Sequence, residues 1–240
     1  MKAFCSKNLF NRVWVPTIIL CAFFLMETHV NAQVVNDVAK KKISIGVGLI
    51  DDIWMKVPSG VKTRTIDQGV QLFGMYNIPF GKSNFGFSIG LGLTVHNAYG
   101  NFIVNSRADS TRLVRIPDTT NYKRSKLMLT YLELPVEFHL KTNSKVSVGL
   151  GFKVGMLVAS GMKYVGNGNI STWDIKSDSP DKLKLKMGKI KNLEQFTYGP
   201  TLRVGYKWFN VTASYMLSPI FTSGGPKMYP LSVGFVLMPF

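Results

Sequence analysis

Near the middle of the chain, thirteen consecutive residues alternate between large apolar side chains and mostly small ones. The apolar side chains occupy every second position from Val146 to Val158, and the positions between them are mainly Gly and Ser. A period of two held over this length predicts a β-strand longer than those of typical globular sheets. A soluble sheet would carry Lys, Glu and Thr on its second face. An apolar outside around a narrow, weakly polar inside is instead the pattern of a transmembrane β-barrel.

The amino terminus has the organisation of a secretory signal peptide. Basic residues precede a 14-residue apolar run, Val13–Met26, which is too short to span a membrane as a helix. Val30 and Ala32 supply the small residues expected just before a cleavage site at Gln33. Residues 1–32 are therefore predicted to be a cleaved signal peptide, and an uncleaved anchor helix is the alternative.

Both cysteines of the chain, Cys5 and Cys21, lie inside this predicted signal. We therefore expect no disulfide, no thiolate nucleophile and no cysteine-bound zinc in the exported part. A short periplasmic leader is predicted over residues 33–42, and a single barrel domain over residues 43–240. Since no later segment approaches the ~18 consecutive apolar residues of a membrane helix, the exported chain would enter a membrane only as strands.

Eight segments show the alternation expected of barrel strands, and the first and seventh are short for the ~9–11 residues that a tilted membrane strand needs. They are Ile43–Leu49, Gly69–Phe80, Phe85–His96, Leu127–Leu140, Lys145–Val158, Gln195–Trp208, Val211–Leu217 and Tyr229–Phe240. No helical apolar period of useful length is visible. The predicted fold is all-β, an eight-stranded antiparallel up-and-down transmembrane β-barrel in the outer membrane of a Gram-negative cell.

The connections between these strands alternate in length. Tight turns are predicted at Gly81–Asn84, Thr142–Ser144 and Lys207–Asn210, whereas the loops after the first, third, fifth and seventh strands are long. Short turns on one side and long loops on the other are typical of outer-membrane barrels. Because the tight turns follow even-numbered strands, both termini are predicted to be periplasmic. Aromatic residues gather at the strand ends near these turns, as an interfacial girdle predicts.

The segment Tyr131-Leu132-Glu133-Leu134-Pro135-Val136 resembles the YLE(I/L)P strand motif of the outer membrane protein β-barrel domain family, which includes PorT-like proteins. The Gly-rich strands Phe85–Val95 and Val146–Val158 are looser matches to the same family. The resemblance implies a barrel from about Ile43 to the end of the chain. For a PorT-like member it also implies components of a protein-secretion system as partners.

The terminal Phe240 is similar to the C-terminal signal that the barrel-assembly machinery reads. Val236 and Met238 stand at spacing two before it, and Gly234 matches the signal's glycine position only partly. This similarity implies the barrel-assembly machinery as a partner, together with the lipid of the outer membrane.

Alternation places a set of charged side chains on the inner face of strands four to six. The candidates for lumen ion pairs are Glu133, Glu137, Lys153, Arg203 and Lys207. Eight strands enclose a space just wide enough to be filled by side chains, so carboxylates and cations there should pair. The favoured interpretation is a structural plug whose pairs fix strand register. A path for protons or ions is the alternative.

No phosphate loop, metal-ligand spacing or nucleophile set is visible in the exported chain. His96 is predicted to lie near the outer rim, with no neighbouring Ser or carboxylate within its strand, and His139 at the periplasmic end. We predict no catalytic residue, no metal and no cofactor. The predicted function is a non-enzymatic barrel with a filled lumen and a structural, surface-interaction or secretion-associated role. A narrow porin-like channel for ions or small solutes is the second hypothesis, and a barrel enzyme acting on lipid or protein is the third.

The chain is basic, with a formal net charge of +16, and its long loops carry much of that charge. The basic residues singled out on these loops are Arg107, Arg112, Arg115, Lys123, Arg124, Lys182, Lys184 and Lys186. Nucleic acid is implausible as a partner of an exported membrane protein. The phosphates of lipopolysaccharide or acidic polymers suit such a surface, and plain solvation of the loops is the alternative. Alternation over Lys182–Met187 predicts a ribbon that extends the strand five–six hairpin above the membrane.

Overall fold

The structure is a computed structural model that describes residues 42–81, 83–106, 111–167, 183–222 and 224–238. The predicted signal peptide and the leader up to residue 41 lie outside these residues, as do Arg107, Lys182 and Phe240. Within the described ranges, no helix is long and apolar enough to cross a membrane.

The described residues form eleven β-strands. Eight of them are barrel strands: β1 (Ile43–Met55), β2 (Gln68–Pro79), β3 (Phe85–Tyr99), β6 (Tyr122–Lys141), β7 (Val146–Gly166), β9 (Phe196–Tyr206), β10 (Phe209–Tyr215) and β11 (Tyr229–Leu237). The other three, β4 (Phe102–Ser106), β5 (Thr111–Arg115) and β8 (Leu183–Gly188), lie in the long connections.

The eight barrel strands close into a ring of antiparallel neighbours in the order β1-β2-β3-β6-β7-β9-β10-β11. The ring closes where β1 pairs with β11, with Val47 opposite Leu237 and Met55 opposite Tyr229. Closure leaves no open edge in the barrel, because every barrel strand pairs with a neighbour on each side. The predicted eight-stranded antiparallel barrel is confirmed.

The two faces of the barrel wall follow the alternation in the sequence. Outward apolar side chains are widely exposed, for example Leu49 at 69%, Leu91 at 61% and Leu150 at 64%. Inward positions on the same strands are mostly Gly, Ser and other polar residues, and the polar ones are buried; large apolar side chains such as Trp54 face inward near the long-loop end. An exterior of exposed Leu, Ile, Val and Phe is unfavourable in water, and it suits a wall that faces lipid.

Several strands extend further than their sequence pattern predicts, most of them on the side of the long loops. β10 instead begins two residues earlier than predicted, at Phe209, on the side of a short turn. β1 ends at Met55 instead of Leu49, and β7 ends at Gly166 instead of Val158. The boundary of β1 was missed because Asp51 and Asp52 interrupt the apolar alternation. β6 and β7 shift register at Thr130 and Tyr131, where a bulge bends the hairpin above the barrel wall.

A hydrophobic core fills the long-loop end of the barrel. Each of the four long connections, or a strand end beside it, contributes to a single buried cluster. The buried members are Trp54, Ala98, Phe102, Ile103, Val104, Ile116, Leu127, Leu129, Tyr131, Met162, Tyr164, Met216, Ile220, Phe221 and Met228. Backbone hydrogen bonds join the connections to one another, such as Glu194 N to Ile220 O at 3.1 Å. We call this cluster the cap core.

Candidate functional site in the lumen and on the outer face

Below the cap core, the carboxylate of Glu133 lies at the centre of a buried polar layer. Thr94 Oγ1 donates a hydrogen bond to Glu133 Oε2 at 2.7 Å, and Lys153 Nζ lies 2.8 Å from Oε1. His96 Nε2 stands 4.0 Å from the same Oε1. β3, β6 and β7 each supply a side chain. The register places Gly92 and Gly155 opposite Glu133, and Thr94 and Lys153 lie two residues away from these glycines, diagonally across from Glu133. We call these groups, together with Asp52 and its contacts, the upper layer.

Asp52 is the part of the upper layer that the sequence analysis missed. It is fully buried, and its Oδ1 accepts from Ser232 Oγ at 2.6 Å and lies 2.9 Å from His96 Nδ1. Its Oδ2 accepts from the backbone N–H of Asn97 at 3.3 Å. The sequence did contain a signal for it. Alternate residues of a strand share a face, so residue 52 lies on the same inward face as Ser44.

A second polar layer lies nearer the short turns. Arg203 Nη2 stands 3.5 Å from Glu137 Oε2, and the guanidinium lies 4.7 Å from the centre of the Phe73 ring. Gly149 makes room for this pair, because a Cβ there would lie 2.4 Å from the Glu137 carboxyl. We call this the lower layer. It places a planar cation against an aromatic face as well as a carboxylate, a favourable arrangement for Arg.

A chain of neutral side chains accompanies the lower layer. Asn77 Nδ2 donates to Ser44 Oγ at 2.7 Å, and Ser88 Oγ donates to Asn77 Oδ1 at 2.6 Å. Ser88 Oγ also lies 2.9 Å from His139 Nδ1. β1, β2, β3 and β6 are thereby connected across the lumen by side chains as well as by the backbone ladder.

Of the five predicted lumen candidates, the structure brings four together as Glu133 with Lys153 and Glu137 with Arg203. The inward placement of Lys207 is wrong. β9 ends at Tyr206, and Lys207 follows in the turn with φ of 54°. Its side chain is exposed, and its ammonium lies 5.2 Å from the centre of the Tyr206 ring. The turn breaks the strand alternation on which that prediction depended.

His96, which was predicted to lie near the outer rim, is buried in the structure. Its side chain is 1% exposed and lies inside the lumen, between Asp52 and Glu133. Ser232, Asp52 and His96 are in contact, but the serine hydroxyl donates to the aspartate and not to the histidine. A nucleophilic serine needs the imidazole as its base, so this order of contacts does not activate Ser232.

The lumen narrows from the short-turn end inward. An open vestibule of about 510 Å³ at that end is lined by Lys141, Lys145 and Lys207 among other residues. Beside Glu137 and Arg203 the free space falls to about 30 Å³, which is room for a few water molecules at most. Among the described residues, no group of three or more His, Cys, Asp or Glu is arranged to hold a metal ion.

The predicted basic residues divide between two places on the long-loop side. Arg112 and Arg115 lie on β5, and Arg115 forms an exposed ion pair with Asp118. Hydrogen bonding and charge from Arg115 hold the pKa of Asp118 below its usual range. The predicted ribbon corresponds to β8, which pairs with the end of β7 and carries Lys184 and Lys186.

Asp67, just before β2, is a buried carboxyl outside the barrel strands. Its Oδ1 accepts from the backbone N–H of Tyr99 at 3.1 Å, and its Oδ2 has no hydrogen-bond partner among the described residues. Burial raises the pKa of Asp67 to about 7, and the nearby carboxylates of Asp52 and Asp51 add to that rise. Asp67 is therefore largely protonated below neutral pH in the folded protein.

A closed antiparallel barrel with an apolar exterior, a polar interior and loops of alternating length defines a transmembrane β-barrel protein. Residues 59–221 match the family model described as "Outer membrane protein beta-barrel domain". The chain belongs to this family, and it is an outer-membrane protein. No curated protein matches the sequence.

Among solved structures, the chain is similar to Ail, the attachment invasion locus protein of Yersinia pestis. For Ail alone the identity is 13% and the TM-score 0.39, over 82% of this chain and 97% of that one. For Ail in complex with the heparin analogue sucrose octasulfate the identity is 13% and the TM-score 0.37, with the same coverage. For Ail in a phospholipid bilayer nanodisc they are 15% and 0.32, over 82% and 98%. Values this low carry no argument about ligand or function.

Proposed function

We propose that this protein is a closed, non-conducting and non-enzymatic outer-membrane barrel that holds a folded platform on the long-loop side. The cap core is the observation that carries the proposal. Fifteen buried residues from the strand ends and connections pack into one cluster, including Phe102, Ile220 and Met228 at 0% exposure. Loops that served only as solvated linkers would not bury aromatic and aliphatic side chains in this way.

The two polar layers support the absence of conduction. An ion entering from the short-turn side meets Arg203 and Glu137, then Lys153 and Glu133, and then the apolar cap core. The free space beside the lower layer is about 30 Å³, too small for a continuous column of water. Each layer would have to rearrange for a hydrated ion to pass.

A planar-bilayer recording tests this proposal against the narrow-channel hypothesis. The refolded protein is expected to give no reproducible conducting steps, while a porin refolded in the same lipid gives them. Discrete steps that scale with protein concentration would contradict the filled lumen and favour the channel.

The biological role that we propose for this platform is surface interaction or a PorT-like part in protein secretion. The second role is proposed because the motif at Tyr131–Val136 resembles that of the family that includes PorT-like proteins. We further propose periplasmic termini, a cleaved signal over residues 1–32, a leader over residues 33–42 and assembly through the barrel-assembly machinery reading Phe240. Lipopolysaccharide is the proposed ligand of the basic outer surface. Cross-linking in whole cells followed by mass spectrometry would identify a secretion partner, and recovery of assembly factors alone would argue against that role.

The barrel-enzyme hypothesis has less support. The Ser232–Asp52–His96 contacts have the wrong order for a serine nucleophile, and His96 is buried. Whole cells carrying His96→Ala should keep any lipid-modifying or proteolytic activity of the parent at its full level. Loss of such an activity in a variant that still folds would support the barrel-enzyme hypothesis.

A further inference from the structure

β6, β7 and β8 form a three-stranded sheet that rises above the barrel wall. Across it, Lys126, Lys163 and Lys186 lie directly opposite one another in one row. The next row contains Arg124, Val165 and Lys184. Directly opposed residues in antiparallel strands share a face of the sheet. Five cations therefore stand on one face, which we call the basic face.

The other face of this sheet is apolar and packs into the protein. Leu127, Met162 and Met187 form a row there, and Tyr164 lies beside it. Leu127, Met162 and Tyr164 are buried members of the cap core, with Met187 packed against it. The sheet is therefore fixed to the platform by one face, and the basic face is held outward in a defined arrangement.

The basic face continues the lipid-facing wall of the barrel. On β6, the outward positions run upward from Phe138 through Leu134 and Leu132 to Lys126 and Arg124. Twelve residues separate Phe138 from Lys126, which is roughly 30 Å of height at ~3.3 Å per residue and ~40° tilt. The apolar band of such barrels is ~25 Å tall, so Lys126 lies at the level of the lipid headgroups.

The charges of the basic face are open to a ligand. Within the described ranges, Arg124, Lys163, Lys184 and Lys186 take part in no ion pair, and Arg124, Lys184 and Lys186 are exposed. Lys126 is held by a hydrogen bond to Asn97 Oδ1 at 3.0 Å. A shallow basin of about 360 Å³ is lined by Arg124, Lys163, Lys184 and Lys186, together with Lys123 and Tyr164.

We propose that the basic face binds the phosphate groups of the diphosphorylated glycolipid of the outer leaflet, lipid A. This deepens the proposed lipopolysaccharide contact and rests on the outer-membrane placement of the barrel. A soluble acidic polymer would meet a surface that points away from the membrane. The basic face points sideways, in line with the lipid-facing wall and at headgroup height, and clustered Lys and Arg in that position attract anionic headgroups.

The test uses the protein refolded in phosphatidylcholine nanodiscs doped with lipid A, with bound lipid A counted by native mass spectrometry. The variant Lys163→Gln/Lys184→Gln/Lys186→Gln is compared with the parent. We expect the lipid A fraction for half-occupancy to rise by about 100-fold, because each of the three interfacial lysines contributes about a fivefold factor. The charge-preserving variant Lys163→Arg/Lys184→Arg/Lys186→Arg should bind like the parent.

A matched control removes three exposed lysines from other long-loop segments, as Lys56→Gln/Lys62→Gln/Lys227→Gln. This control has the same net charge as the test variant and should keep parental affinity, whereas dephosphorylated lipid A should bind the parent weakly. Equal occupancy of the parent and the test variant would overturn the proposal. It would also be overturned by equal losses in both triple-Gln variants, or by binding of soluble dextran sulfate with no binding of lipid A. Conducting steps in a bilayer would contradict the closed barrel and leave this result unaffected.

Discussion

Glu133 shows what a single luminal residue does in this barrel. It is 6% exposed, its partner Lys153 is 7% exposed, and 2.8 Å separates their charged atoms. A buried pair of this kind contributes little net stability compared with an apolar pair, but loss of one partner leaves the other charge buried and unpaired. The alternation of apolar and polar residues along the two strands predicts that both residues face inward. The choice of partner depends on the β6–β7 register, which no sequence pattern specifies.

Removal of one partner should destabilise the barrel, and removal of both should restore part of the loss. Glu133→Gln alone is expected to lower stability by roughly 3 kcal/mol, because Lys153 keeps a buried charge. The double variant Glu133→Gln/Lys153→Met should melt between the single variant and the parent. The measurement is the temperature at which the folded band shifts in a heat-modifiability gel.

The control for this cycle is the mismatched double variant Glu133→Gln/Arg203→Met. The two residues belong to different layers, so the losses should add. The corresponding matched pair is Glu137→Gln/Arg203→Met, which should show recovery. If every single variant melts like the parent, the luminal charges are solvated and the lumen contains more water than we propose.

Asp67 gives the protein a pH dependence with a definite sign. Its folded pKa of about 7 lies above the usual value of 3.8, so the folded state binds the proton more tightly. This contribution to stability is fully present below about pH 4 and is lost as the pH rises through about 7. The parent should therefore unfold at lower urea concentration at pH 8 than at pH 5.5. Asp67→Asn removes the titration and should flatten that difference. An unchanged pH slope in Asp67→Asn would assign the effect to another group.

Individual strands could be predicted where one face of the strand carries mainly large apolar side chains and the other mainly small ones. β3 and the lower part of β7 alternate large apolar residues with Gly and Ser, and their predicted positions hold. The β4–β5 hairpin was missed because Phe102, Ile103 and Val104 are all buried, so the segment has no period of two. Asp52 was missed for a related reason. Asp51 and Asp52 follow the apolar alternation that ends at Ile50, and in the sequence alone two acidic residues at that point resemble the start of a loop.

Glycines on the inner face of a strand should tolerate a methyl group far less than glycines on its outer face. A Cβ at Gly151 would lie 2.3 Å from the carbonyl oxygen of Val136 and 2.9 Å from Thr201 Oγ1, whereas a Cβ at Gly74 would meet nothing within 4 Å. Gly151→Ala is expected to destabilise the barrel by about 1–3 kcal/mol through overpacking. Gly74→Ala should be neutral or slightly stabilising. Urea unfolding followed by tryptophan fluorescence compares the two, and equal stabilities would indicate a lumen with spare room.

At the scale of the whole molecule, the sequence predicts the wall of the barrel but not its closure at the top. The wall follows from the period of two and from the alternating loop lengths. The cap core takes side chains from four connections and the strand ends beside them, such as Trp54, Ile116, Met162 and Ile220, which are far apart in sequence and share no period. Its existence depends on the closed ring, which brings those connections to one end.

The cap core and the polar layers are barriers in series, so the loss of either one alone should leave the barrel closed. One variant replaces residues 101–117 by a short Gly/Ser link and removes the β4–β5 hairpin from the cap core. A second changes both ion pairs together, as Glu133→Ser/Lys153→Ser/Glu137→Ser/Arg203→Ser, which widens the lumen without an unpaired charge in either pair. Each should fold by the heat-modifiability gel and give no conducting steps, because the other barrier remains.

The two changes combined should give discrete conducting steps in a planar bilayer, since water can then fill the lumen from end to end. Steps from the hairpin variant alone would show that the polar layers pass ions, and the cap core would then be the only gate. If the combined variant folds but gives no conducting steps, other inward side chains, such as Tyr131 and Phe73, suffice to close the lumen.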